Sequence, residues 1–159
     1  MDREDIEKIQ NFAKRFKELN AKVKLLILLQ RAKEEYDKNK FSDCKKTCEE
    51  VLQSNPENAI ALRGLGCVAQ IQGDYERAVN YYKKALKTSN NKEIEYTLIG
   101  TIYYLQEKLE KAIENYNLAI KANDDYESAY EGRNQSMLEY HLKILDLQDS
   151  LIEQELRSY

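Results

Sequence analysis

Apolar residues recur along this chain at three- and four-residue steps, and the steps come in short blocks. From Ala59 to Asn90 the sequence reads ALRGLGCVAQ, IQGDYERAVN, YYKKALKTSN. Leu62, Leu65, Ala69 and Ile71 mark one amphipathic helix, and Tyr75, Ala78, Val79, Tyr82, Ala85 and Leu86 mark a second. Gly73-Asp74 separates them: glycine suits a helix C-terminal cap and aspartate the next N-cap. Gly66, Ala78 and Ala85 are small residues inside these helices, where they let two helix axes approach. Neither helix can bury its stripe alone, so the unit needs neighbours of its own kind.

Those neighbours are in the sequence. Gly100, Ala112 and Ala119 lie 34 residues after Gly66, Ala78 and Ala85, and Tyr116 answers Tyr82 at the same interval. Stepping back by 34 gives Ala32 for Gly66, Cys44 for Ala78 and Cys48 for Tyr82, so the first copy is the most divergent. The predicted helix pairs are about 21–38 with 41–54, 57–72 with 75–88, and 92–106 with 109–122, with Asn55-Pro56 opening the second pair.

These residues resemble the tetratricopeptide repeat (TPR) family, whose unit is a 34-residue helix–turn–helix. The repeats fall at 25–58, 59–92 and 93–126. The resemblance implies an all-α fold, a right-handed TPR helical-hairpin solenoid with N- and C-terminal capping helices. The whole chain, 1–159, then forms a single domain: an N-terminal helix in 1–24, the three repeats, and a C-terminal helix in 127–159.

Outside the repeats, Ile6, Ile9, Ala13 and Phe16 form a stripe widened by Phe12 and Leu19. The expectation is a helix over 2–19, able to run into the next helix near Asn20, that covers the exposed end of the stack; a basic amphipathic helix can instead lie on a membrane surface. From residue 126 no turn signal interrupts the chain, which predicts one long helix or two with a kink near Tyr140–His141. Its first half should cap the third repeat. Its second half, with Leu142, Ile144, Leu145, Leu147, Leu151, Ile152 and Leu156, is expected to fold back on the stack, with a homo-oligomer contact or a partner-binding helix as the alternative.

Composition narrows the function classes. The formal charge is −3 over 159 residues, which gives no support for nucleic-acid binding. The charge is uneven: residues 1–24 hold seven Lys/Arg and five Asp/Glu, and residues 125–159 hold three and eight. The most apolar run, Val23 to Leu29, is far too short to span a bilayer. A charged N-terminus and three cysteines without framework spacing point to a reducing, cytoplasmic location.

No residue pattern suggests an enzyme, a metal or a cofactor. His141 has no cysteine and no metal-ligand spacing around it, and Cys44 and Cys48 occupy repeat packing positions. In TPR proteins the first helix of each pair lines a concave groove. Carried to this sequence, that assigns the partner-binding groove to Leu29, Lys33, Tyr36, Arg63, Cys67, Gln70, Thr97, Thr101, Tyr104 and Glu131, joined by Leu26 and Ile60. Lys33 and Arg63 are expected to pair with acidic groups of a partner, and Cys67 to be an accessible thiol. The two-carboxylate clamp of chaperone-binding TPR proteins is absent: its positions hold Leu29, Lys33, Gly64, Thr97 and Thr101. The resemblance implies a non-catalytic adaptor or scaffold that binds a peptide or helix of another protein. A small holding chaperone and self-assembly through the terminal helices are the alternatives.

Overall fold

The computed structural model describes residues 3–157. Among them it places α1 (Arg3–Asp37), α2 (Phe41–Ser54), α3 (Ala59–Ile71), α4 (Tyr75–Ala85), α5 (Lys92–Leu105), α6 (Leu109–Ala122) and α7 (Glu127–Arg157), with no strand. Helices α1–α2, α3–α4 and α5–α6 form hairpins, each stacked on the next, and α7 closes the row against α5 and α6.

The turns repeat as faithfully as the helices. Gly73 sits at φ +77°, while Asn39 and Glu107, 34 residues to either side, sit at φ +58°. At each turn the next backbone N–H reaches five residues back: Lys40 to Glu35, Asp74 to Ala69, and Lys108 to Tyr103, at 2.7–2.9 Å. This is the left-handed cap that ends a helix by satisfying its last carbonyls. Glycine suits positive φ best and asparagine tolerates it, so it is Glu107 that holds its turn against its own preference. Asp74 then caps α4 by accepting from the N–H of Arg77 at 3.1 Å. Asn58, rather than Asn55, caps α3 by accepting from Ala61 at 2.9 Å, so Pro56 lies in the preceding turn instead of the helix.

Tyrosine on glycine sets the helix spacing. A methyl group on Gly66 would stand 2.4 Å from the Tyr82 ring, and one on Gly132 would stand 2.4 Å from the Tyr116 ring, which also covers Gly100. Tyr82 is completely buried, as are Ala78, Ala85, Ala112 and Ala119. Burying a side chain of this size contributes on the order of 2 kcal/mol over leaving it in water.

The ends differ from expectation in two ways. Residues 3–37 are one continuous helix, and its first half does not cover the stack: Ile9, Phe12, Phe16 and Leu19 are all more than half exposed. Helix α7 is likewise unbroken, and only its first half is docked. Ala129 and Ser136 are buried there, and Tyr140 and Lys143 bond Glu110 and Glu107 at 3.1 and 2.9 Å. Beyond Lys143 the helix runs free instead of folding back, leaving Leu145, Leu147, Leu151, Ile152 and Leu156 exposed. The physical reason is the same at both ends. A 35- or 31-residue helix is far longer than the 11–14-residue helices beside it, so much of its length passes their ends. Among the described residues no helix is long and apolar enough to cross a membrane.

Candidate functional site

A cleft of about 430 Å3 opens between α1, α2 and α3, floored by Ala32, Cys44, Cys48 and Gly64 and walled by Leu26, Leu29, Tyr36, Ile60 and Cys67. Its origin is the divergence of the first repeat. In the second repeat the Tyr82 ring fills the space over Gly66, and its hydroxyl donates to Gln70 Oε1 at 2.9 Å. The corresponding residues of the first repeat are Cys48, Ala32 and Tyr36. A cysteine stops well short of where a tyrosine ring would reach. The Cys48 Sγ rests on Gly64, where a methyl group would stand 2.7 Å away, and the volume above it stays open.

The cleft is predominantly apolar, and its thiols remain protonated at neutral pH. Burial pushes the Cys48 thiol up to about 12, helped by the nearby Cys44. Burial also raises Cys44 and Cys67, so Cys67, expected to be accessible, is half-buried and a poor nucleophile. Desolvation likewise holds the Tyr36 hydroxyl above its usual range.

Two cations border the cleft, and both have partners. Lys33 Nζ lies 3.2 Å from Asp37 on an exposed helix face. Arg63 is committed more deeply: its Nε and Nη2 reach Glu95 Oε1 at 2.7 and 2.6 Å, and Glu95 is fully buried. The expected pairing of Arg63 with a partner's carboxylate thus meets a carboxylate already supplied by α5. Glu95 Oε2 has no hydrogen-bond partner, so Arg63 carries most of the compensation for this buried charge.

The structure gathers Leu26, Leu29, Lys33, Tyr36, Ile60, Arg63 and Cys67 around one cleft and places Gln70, Thr97, Thr101, Tyr104 and Glu131 outside its lining. Gln70 accepts from Tyr82. Thr101 donates to the Thr97 carbonyl at 3.0 Å and lies 3.2 Å from the Tyr116 hydroxyl. The Thr97 hydroxyl is buried without a partner. Tyr104 donates to Glu139 of α7, and Glu131 is exposed on α7. Ala32, Cys44, Cys48 and Gly64 were absent from the sequence assignment because they are packing positions. The one signal for them was the loss of the aromatic at Cys48.

The comparisons with known proteins agree with this architecture. No curated protein matches the chain. Among solved structures it is similar to the Thermobaculum terrenum O-GlcNAc transferase mutant K341M (TM-score 0.66, 23% identity, 71% of this chain and 22% of that one). It therefore spans about a fifth of the transferase chain. It is also similar to the first TPR of Spaghetti (RPAP3) bound to HSP90 peptide SRMEEVD (TM-score 0.66, 13% identity, 74% and 93%). A third likeness is the Yersinia enterocolitica type III secretion translocator chaperone SycD (TM-score 0.67, 16% identity, 73% and 93%). At these identities the likeness is one of fold. The model of the tetratricopeptide repeat-like domain matches residues 1–146, and with the 34-residue register, the recurring left-handed turns and the tyrosine-on-glycine contacts it places this chain in the tetratricopeptide repeat-like family.

Proposed function

We propose that this protein is a non-catalytic adaptor that holds a short segment of another protein, peptide or helix, in the first-repeat cleft. The observation that carries the reading is the cleft itself: an apolar, solvent-open cavity where the neighbouring repeats are filled by tyrosine. An aliphatic or aromatic anchor from the partner would take the volume that Tyr82 takes one repeat later, and apolar pockets of this kind are where binding energy concentrates. Lys33, on an exposed helix face beside the cleft and tied only to Asp37, is the cation free to meet an acidic group next to that anchor. A reducing, cytoplasmic setting suits the three unpaired thiols.

The test is a side-by-side capture from source cells with wild type and the Ile60→Asp/Lys33→Glu variant. Ile60 is 54% exposed and Lys33 is 71% exposed, so neither change disturbs the core. A partner held by wild type and lost by the variant, with unchanged helicity, supports the cleft. A partner held equally by both moves the site to the terminal helices.

A further inference from the structure

Both terminal helices carry apolar seams that stay largely exposed among the described residues. On α1, Ile9, Phe12, Phe16, Leu19, Val23 and Leu26 alternate at three- and four-residue steps and are 46–71% exposed. These are the a and d positions of a heptad. From Ile9 to Val23 the seam lies on the side of α1 turned away from the stack, and at Leu26 it reaches the edge of the cleft. Leu28 and Ala32, which face the stack, are buried, whereas Leu26 in the same turn as Leu28 is 65% exposed. On α7, Leu138, Leu142, Leu145, Ile152 and Leu156 follow the same steps at 51–72% exposure, with Asp149 at the remaining a position. That seam also faces away from the stack, whose side is marked by Ala129, Ser136 and Tyr140; Leu147 and Leu151 continue the stack side past the last repeat.

The charges beside the two seams are opposite. Lys8, Arg15 and Lys22 hold the g positions just before the a residues Ile9, Phe16 and Val23 of the α1 seam, and Glu139, Asp146 and Glu153 hold the e positions just after the d residues Leu138, Leu145 and Ile152 of the α7 seam. In a parallel two-helix coiled coil g faces e of the partner. We propose that copies of this chain join end to end, the front half of α1 in one copy winding in parallel with the back half of α7 in the next. The register is set by setting Phe16 beside Leu142, Leu19 beside Leu145 and Leu26 beside Ile152. Arg15 then meets Asp146, and Lys22 meets Glu153. Lys8 meets Glu139, which already accepts from Tyr104, so the other two pairs carry the selectivity.

The alternative pairings work less well. Antiparallel pairing of two α1 helices sets basic g against basic g, and of two α7 helices sets acidic e against acidic e. A parallel α7 pair buries Asp149 against Asp149. A parallel α1 pair leaves its basic flank against Ala13, Asn20 and Ile27. Asp149 beside Val23 costs some stability in the proposed pair and, as a polar a residue, fixes its register. The stacks fit as well. Helix α1 joins its stack at its C-terminal end and α7 at its N-terminal end, so a parallel coil holds the two stacks at opposite ends of the coil. The ion pairs given up are exposed contacts within one helix, Lys8–Glu4 and Arg157–Glu153. Because the contact is heterologous, each copy keeps one unused end, and growth runs to a chain or a ring.

The test uses the purified protein of residues 1–159. Sedimentation should show mass rising with concentration and falling in high salt. Arg15→Glu/Lys22→Glu and Asp146→Lys/Glu153→Lys should each be monomeric with unchanged helicity, and their equimolar mixture should assemble again, because each reversed seam then meets a complement. Wild type that stays monomeric, a variant that assembles as wild type does, or a mixture that stays monomeric would overturn the proposal. Cross-linking sharpens it: a Leu19→Cys copy mixed with a Leu145→Cys copy should give disulfide dimers that neither gives alone, whereas dimers from Leu19→Cys alone would establish α1–α1 pairing and refute the register. None of the substituted positions lines the cleft, and the assay holds no cleft partner, so its outcome is read apart from partner capture although Leu26 belongs to both the seam and the cleft wall.

Discussion

The first and second repeats are the same hairpin with opposite interiors. In the second, Tyr82 lies over Gly66 and fills the space between α3 and α4. In the first, Cys48 and Ala32 stand at those places and leave a cavity between α1, α2 and α3. The contrast extends to the next junction. Arg63 and Glu95 form a buried ion pair between α3 and α5, and the residues one repeat earlier are Leu29 and Ala61. A repeat protein can thus place a binding site by removing a side chain from its own core. The register keeps the backbone in place while the missing volume becomes the pocket.

The largest way to break this comparison lies at the ionic junction. Replacing Arg63 by Met leaves Glu95 buried with no compensating charge. Breaking a buried pair in this way costs about 3–5 kcal/mol, which chemical denaturation would read directly. The double change Arg63→Leu/Glu95→Ala imitates the first junction and should recover most of that loss, since no charge is then stranded. A cost below about 1 kcal/mol for the single change would mean that water reaches Glu95 in spite of its burial. It follows that reversing Arg63 to probe partner binding would test the fold before it tested the site.

Next in size is the tyrosine–glycine contact. Gly66→Ala adds a methyl 2.4 Å from the Tyr82 ring. The ring is fully buried and has nowhere to swing, so overpacking should cost about 1–3 kcal/mol. In the first repeat nature has already made this change: Ala32 holds the position of Gly66, and it fits because Cys48 is small. Unaltered stability in Gly66→Ala would show that α3 and α4 separate more easily than the contact implies.

These residues also show how much was legible beforehand. The hairpins were, because burial with a 34-residue period writes the same small and large residues into each copy. The turn at Gly73 was too, through its residue type, but its copies at Asn39 and Glu107 were not, since neither residue announces positive φ as glycine does. The commitment of Arg63 to Glu95 was hidden because the partners are 32 residues apart and each, read alone, resembles a solvated groove charge. Helix α1 looked like a cap because its stripe was visible; the side of the helix that the stack would use was not. The cleft was visible only as a departure, Cys48 where an aromatic was expected, and a missing aromatic reads equally as a tighter or an emptier core until the neighbouring helices are placed.

The finest test converts one repeat into the other. Cys48→Tyr alone should destabilise, because the Ala32 methyl occupies ground that the ring needs; a methyl on Gly66 would stand 2.4 Å from Tyr82 in the equivalent place. The overpacking cost is about 1–3 kcal/mol. Adding Ala32→Gly removes the obstacle and should bring stability back to within about 1 kcal/mol of wild type, so the two positions couple with a favourable sign in a double-mutant cycle. In the double variant the ring fills the cleft from inside, its hydroxyl directed toward Tyr36 as that of Tyr82 is directed toward Gln70. A partner that depends on the cleft should then be lost although the fold is intact and no charge has changed. Retention of the partner by a well-folded double variant would show that the cavity is only a gap in the repeat, and that the exposed seams of α1 and α7 are the surfaces through which this protein works.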